Sequence, residues 1–547
     1  MPPKQAQTGS GGPGERAGVH FVPPKQAQAG SGGLGERAGV HFVPPKQAQA
    51  GSGGPGERAG VHFVPPKQAQ AGSGGPGERT SVHFVPPKQA QAGLGGRHCL
   101  ESAKVIVWPI VMKVLLFLLL LCATAVCEPL SDSQLFDQVQ QRTFQYFWEG
   151  AEPVSGLARE RFHCDGIYPD QDREVVTSGG SGFGLMALLV GVERGFIPRE
   201  QALERFERIL GFLETCDRFH GAWPHWWQGG NGKVKPFGKK DDGGDLVESS
   251  FMAQGLLCVR QYFAQGSARE RAVARRADQL WREIDFDWYR NGKNVLYWHW
   301  SPNYGWQMNF PVHGYNECLI MYVLAASSPT HPVAPEVYHE GWAEKGAIAY
   351  PHEALGVKLQ LRYQGDAENG GPLFWAHYSY LGLDPRGLKD RYADYEQETR
   401  NQALVNYRWC VQNPKKYRGY GPDSWGLTSS YSTKGYAGHA PSLDNDLGVL
   451  APTAALASFP YLPAEAAAAM RNWYENLGER AFGPYGFYDA FSIHENWFLP
   501  RYLAIDQGPI VVMMENHRSQ LLWKLFMSCA EVQQGLKRLG FSSPYLK

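Results

Sequence analysis

Four acidic segments in this 547-residue chain each lead into a helix-like run or a Gly-rich turn. They are Asp241-Asp242-Gly243-Gly244-Asp245-Leu246-Val247-Glu248, the lone Glu317, Ser442-Leu443-Asp444-Asn445-Asp446 and Ala504-Ile505-Asp506-Gln507-Gly508-Pro509. Paired carboxyl groups can hydrolyse a glycosidic bond, one protonating the leaving oxygen while the other activates water or attacks directly. Asp245 and Glu248, three apart, would share one face of a first helical turn. The structural alternative is a helix cap, with Asp245 as N-cap and Glu248 closing a capping box. Asp506 has the same alternative. Glu317 stands immediately before the apolar run Cys318 to Ala326. A carboxyl at the rim of an apolar wall has its pKa raised, which is what a general acid needs. Its alternative is simple favourable placement at a helix N-terminus.

The surroundings of Glu317 favour chemistry over capping. The stretch from Tyr297 to Asn309 holds Trp298, His299, Trp300, Tyr304 and Trp306, with Pro302 and Gly305 interrupting any period. It follows neither the alternation of a strand nor the 3.6-residue repeat of a helix, so it reads as an aromatic loop with at most a short β element. Flat rings with polar edges suit sugar rings, whose C–H faces stack while their hydroxyls hydrogen-bond. Trp226 and Trp227 are expected across the cleft, and His313 and Asn316 flank the acid.

The rest of the chain must position these groups. Residues 1–104 repeat Pro-Pro-Lys-Gln-Ala-Gln every 21 residues and contain too few apolar side chains to build a core. They read as disordered, or as a translated upstream repeat with Met112 as the working start. Met112-Lys113, an apolar run and Ala123-Thr124-Ala125 make 105–127 a signal peptide or membrane anchor, with Cys127 a candidate lipid site. The expected protein is therefore exported, periplasmic or extracellular, and touches a membrane only through this leader. Residues 128–547 form one catalytic domain. Lys plus Arg equal Asp plus Glu at 53 each, which leaves no basic block for a nucleic-acid partner. A monomer is expected, without cofactor or metal, and the cysteines after the leader show no zinc-type spacing.

Helical patterns fall at 131–148, 182–194, 198–214, 246–263, 268–284, 315–326, 388–411, 451–458, 463–481, 509–529 and 530–539. Wholly apolar runs alternate with amphipathic ones, joined by long aromatic loops. The pattern predicts an all-α (α/α)6 toroid, apolar helices inside and the site built by loops at one end.

Long strings in this chain resemble the bacterial glycoamylase-like family that contains the endo-β-1,2-glucanases, glycoside hydrolase family 144. They include Gly182-Phe-Gly-Leu, Asp245-Leu-Val-Glu248, Tyr297-Trp-His-Trp-Ser-Pro302, Asn316-Glu317, His377-Tyr-Ser379 and Ala504-Ile-Asp-Gln-Gly-Pro509. The resemblance spans about Phe136 to Leu536. It implies an (α/α)6 toroid cutting β-1,2-glucan (sophoro-oligosaccharides), mostly with inversion and without metal. It places the acidic cleft residues on Asp241, Asp245, Glu248, Glu317 and Asp506, with Glu317 as general acid and the base open among Asp506, Asp245 and Glu248. Asp242 leaves the Asp241 assignment ambiguous by one residue. His313 and Tyr315 depart from the Arg and Trp common in relatives. Two alternatives stand beside this reading: a non-catalytic glycan-binding surface lipoprotein, and a glucosidase or glucoamylase of another linkage specificity. A pure binder has no reason to keep all five carboxylates.

Overall fold

The computed structural model describes residues 129–546 together with two three-residue strands, Val19–Phe21 and Val40–Phe42, which pair in parallel. The remaining repeat sequence and the leader at 105–127, Cys127 included, lie outside the described residues.

From α1 (Asp132–Trp148) onward, helices alternate between amphipathic and fully apolar. α2 (Ser178–Glu193) is buried without interruption from Ser178 to Gly191, whereas α3 (Arg199–Thr215) buries only the stripe Ala202, Leu203, Phe206, Ile209, Leu210 and Leu213. The same alternation follows for α4 (Leu246–Phe263), almost wholly buried, and α5 (Ala268–Arg282), which starts on a Ser267/Glu270 capping box. α6 (Leu319–Ser327) is buried throughout. Next come an outer helical turn at Val337–Trp342 and two inner ones at Leu373–Ala376 and Tyr378–Leu381. α7 (Tyr395–Gln412) and α9 (Pro463–Leu477) are outer, while α8 (Pro452–Leu456) and α10 (Ala504–Ser519) are inner. α11 (Leu521–Met527) and α12 (Ala530–Arg538) complete the chain. In the inner set α2 packs on α4, α4 on α6, α6 on the 378–381 turn, and α10 on both α8 and α2. This is the expected all-α (α/α)6 toroid, with the strands reduced to short two-stranded pairs between helices.

The expected helix positions shift where local chemistry overrides the pattern. The 315–326 helix starts only at Leu319, because Tyr315 to Cys318 are drawn into a turn in which Asn316 caps the Cys318 amide. The 388–411 helix starts at Tyr395, behind an Asp394 cap. The 509–529 helix begins five residues earlier, with Pro509 inside it, and breaks where Gln520 adopts φ 65°. Pro509 is the sixth residue of this helix, just past the first turn, where its missing N–H removes one helical hydrogen bond. The hairpin Ala349–Ala354 with Val357–Leu361 was not anticipated.

Glycine sets the closest contact in the inner ring. A Cβ added at Gly182 would lie 2.3 Å from the Phe251 carbonyl oxygen, and one at Gly255 would lie 2.3 Å from the Gly182 carbonyl oxygen. The backbones of α2 and α4 therefore touch directly. The described cysteines are free thiols, all buried except Cys164. No helix among the described residues is long and apolar enough to cross a membrane.

Gly182→Ala must force α2 and α4 apart, and overpacking of this kind costs about 1–3 kcal/mol. Urea unfolding of the variant should show that loss. Unchanged stability would mean the two helices are not in backbone contact.

Candidate active site

The N-terminal ends of three inner helices, α4, α6 and α10, supply the carboxylates, and that of α2 supplies a backbone amide. Asp245 is the N-cap of α4, its Oδ1 accepting the Glu248 amide at 2.9 Å. The cap reading of Asp245 is thus correct, but the capping box does not form. Glu248 turns instead toward α2, where its Oε2 accepts the Gly179 amide at 2.7 Å. Glu317 stands two residues ahead of α6, and Asp506 lies in the first turn of α10. All five expected acids are buried, between 0% and 6% exposed. Asp241 and Asp242 differ in what they touch. Asp242 braces the aromatic loop, accepting from Ser301 Oγ and from Asn303 Nδ2 at 2.8 Å. Asp241 instead lies 3.1 Å from His299 Nε2 and acts electrostatically on His225 and Glu248.

His225 was not anticipated, although it directly precedes the two tryptophans that were. Its Nδ1 lies 3.0 Å from Asp245 Oδ2, and its Nε2 lies 3.9 Å from Glu248 Oε1. Burial disfavours its charge, but Glu248, Asp245 and Asp241 outweigh that and raise its pKa to about 9. Donor atoms of His225, Asp241 and Asp245 lie within 4.8 Å of one another, a spacing that could hold an ion. A protonated imidazole offers no lone pair to a metal, so a proton and a metal ion compete for His225. Asp245 also accepts Trp298 Nε1 at 3.0 Å, which occupies both of its oxygens.

Glu317 sits in the most apolar corner. Burial, with Glu248 and Asp245 nearby, raises its pKa to about 8, against hydrogen bonds from its own backbone and the Trp375 side chain. Oε2 has no hydrogen-bond partner among the described residues. Glu248 is raised to about 7, first by burial and further by Asp245 and Asp241, while His225 opposes. The buried Tyr378 hydroxyl, also unanticipated, is acted on by the charges of Asp506, Glu248 and Glu317, which with burial raise its pKa. Asp444 and Asp446 lie elsewhere. Asp444 is exposed, and Asp446 is tied to Trp409 Nε1 and the Tyr420 hydroxyl.

Several expected sugar contacts are corrected. Trp227 is fully buried, donating to the Asp217 carbonyl and packing edge-on against Phe212, so it is core. Trp226 is 3% exposed beneath Phe237 and His225 and offers no open face. His299 is buried against Asp241, and Asn316 is spent on Gln364 and the Cys318 amide. His313 points outward to Glu344 at 3.2 Å, and Tyr315 is buried against Tyr380. Trp298, Trp300, Tyr304 and Trp306 are partly exposed. Of these, Trp298 reaches the carboxylates. Trp300 and Trp306 join a cluster with Trp288, which stacks on His220 at 3.7 Å between ring centres.

A group whose pKa is higher folded than unfolded contributes stability that is complete below its unfolded pKa and is lost as pH rises through the folded one. For Glu317 that window runs from its ordinary 4.5 to about 8. Glu317→Gln removes this loss. Its unfolding free energy, measured by urea denaturation, should therefore gain on the wild type as pH rises from about 5 to about 9, by an amount on the order of a few kcal/mol at most. A pH-independent difference would show that the Glu317 carboxyl is not held protonated.

Against this geometry, comparison with known proteins is informative. A family model described as glycoamylase, a glucoamylase group, matches residues 309–530. The endo-β-1,2-glucanase of Chitinophaga pinensis, solved in complex with sophorotriose and glucose, is 68% identical with a TM-score of 0.76, covering 76% of this chain and all of that one. A β-1,2-glucanase structure from Parabacteroides distasonis is 43% identical with a TM-score of 0.71, over 75% of this chain and 60% of that one. The exo β-1,2-glucooligosaccharide sophorohydrolase (non-reducing end) of Parabacteroides distasonis is 44% identical over 432 residues, 76% of this chain, which spans 59% of that protein's length. On the full-length match to the Chitinophaga enzyme, the chain belongs to the glycoamylase-like family of glycoside hydrolases, family 144.

Proposed function

We propose that this protein is an exported hydrolase of β-1,2-glucan that works by inversion, with Glu317 as general acid. The observation that carries the reading is Glu317 itself: a buried carboxyl at the head of an apolar helix, its pKa pushed up to about 8 by burial and by Glu248 and Asp245 nearby. A proton held there is available for the leaving glycosidic oxygen. The names of the relatives at 68% and 44% identity support the β-1,2 linkage. The Met112 to Ala125 segment supports export.

The base follows by elimination among the three candidates. Both oxygens of Asp245 are occupied by N–H donors. Glu248 is held by the Gly179 amide and lies beside the His225 cation. Among the described residues, no N–H group donates to either oxygen of Asp506. Asp506 therefore keeps its lone pairs available to accept a proton from the attacking water. The chemistry runs with balanced protons: Glu317 gives one to the leaving oxygen as Asp506 receives one from the water that attacks the anomeric carbon. The newly exposed reducing end is then α.

Reducing-sugar release from β-1,2-, β-1,3-, β-1,4- and α-1,4-glucans tests the linkage, and NMR of the first-formed anomer tests inversion. Glu317→Gln should lose about 10²–10⁴-fold in turnover on glucan and less on substrates with activated leaving groups. The alkaline limb of kcat/KM should fall near pH 8, where Glu317 loses its proton. Wild-type turnover by Glu317→Gln would remove the acid assignment. Cleavage of another linkage but not β-1,2 would overturn the substrate. Secretion of protein begun at Met112 should match that of the full chain.

A further inference from the structure

Asp506 poses a problem as a base, because a buried carboxyl with no N–H donor resists holding charge. The structure supplies a second carboxyl behind it. Asp489, 3% exposed, lies within side-chain hydrogen-bonding reach of Asp506, and among the described residues no N–H or O–H donor reaches either Asp506 oxygen. The contact is built on both sides. Asp489 Oδ2 accepts the Tyr431 amide at 2.8 Å, and the Asp489 amide donates to the Arg501 carbonyl at 2.9 Å, just ahead of α10. On α10 itself, Gln507 Nε2 donates to the Phe487 carbonyl at 2.8 Å and ties the Asp489 segment to the helix that carries Asp506. Two carboxylates cannot both be charged in such a contact, so the pair holds one proton between them. The Tyr431 amide stabilises charge on Asp489, which leaves the shared proton on Asp506.

We propose that Asp489 is the positioning residue of the water-activating base, forming with Asp506 a single-proton carboxyl pair in which Asp506 meets the water and Asp489 takes up the charge change. This rests on the hydrolase reading above. In the step, water gives a proton to the free oxygen of Asp506 while the proton already on Asp506 crosses to Asp489 Oδ1. The pair passes from one negative charge to none. Glu317 goes from neutral to charged as the leaving oxygen is protonated, so the site's total charge is unchanged. The groups facing the pair are Glu160, which disfavours charge on both members, and the hydroxyls of Tyr378 and Tyr436 beside Asp506. On the Asp489 side stand Tyr431 and, beyond it, Arg501 and Arg161, the latter paired with Glu160. Burial raises both members, Asp489 to about 6, opposed there by the Tyr431 amide and the contact with Asp506.

Two measurements on D489N, an isosteric change, test the pair. In steady-state kinetics on whichever glucan the linkage panel identifies, kcat should fall about 100-fold or more with KM within about threefold, as for a group acting only in the chemical step. The acid limb of kcat/KM should move to higher pH, because Asp506 alone lacks the amide-backed site for the charge. D489N/D506N should be no slower than D506N, since coupled residues are non-additive. In infrared spectra at neutral pH, which need no substrate, D506N should remove a protonated-carboxyl stretch and D489N should shift it. If D489N fails to fold, D506N still decides the infrared arm. Near-normal kcat, an acid limb unmoved or moved to lower pH, or a carboxyl band untouched by D506N overturns the pair. A protein that leaves β-1,2-glucan intact but shows the infrared changes loses the substrate reading while keeping the pair.

Discussion

The contact on which the site depends is the hydrogen bond from the Gly179 amide at the head of α2 to Glu248 on α4. A Cβ at Gly179 would collide with the Glu248 carboxylate, so glycine there leaves the carboxylate free to reach the amide. Gly182 and Gly255 continue the same contact deeper into the ring. Four inner helices then present their N-terminal ends to one volume, where exposed amides and the helix dipoles favour negative charge. That field lets a buried site tolerate five acidic side chains without unfolding.

Within that field the carboxyls are differentiated by what each lacks. Asp245 is surrounded by donors, Glu248 has an amide and a nearby imidazolium, Glu317 has the apolar α6 behind it, and Asp506 has another carboxyl. Placing groups of one chemical type in contrasting environments is how a site separates acid from base. His225 supplies the compensating cation, and its raised pKa measures how strongly the surrounding carboxylates hold it.

Aromatic residues divide in the same way between structure and recognition. Trp227, Trp223, Trp281 and Trp473 are fully buried, and their indole N–H groups find acceptors. Trp288, Trp298 and Trp300 keep part of a ring open beside the carboxylates or the neighbouring loop. A high tryptophan content therefore reports a large core as much as a ligand, and only burial separates the two.

The sequence by itself determined the helical class, the alternation of inner and outer helices, and the acids at helix beginnings, because those depend on local periodicity and on which residues cap a helix. It also showed Asp245 as a cap, since a cap and its amide are three residues apart. It could not show that the Glu248 side chain reaches Gly179, 69 residues away, or that Asp489 comes within reach of Asp506 on α10. It missed His225 and Tyr378 for the same reason: their chemistry comes from neighbours brought together only when the inner ring assembles. It misplaced Trp226, Trp227, His299 and Asn316 because a ring or amide beside a site has the same sequence signature whether it faces the ligand or the core. Tertiary packing decided which, by burying those four and leaving Trp298 partly open at the carboxylates.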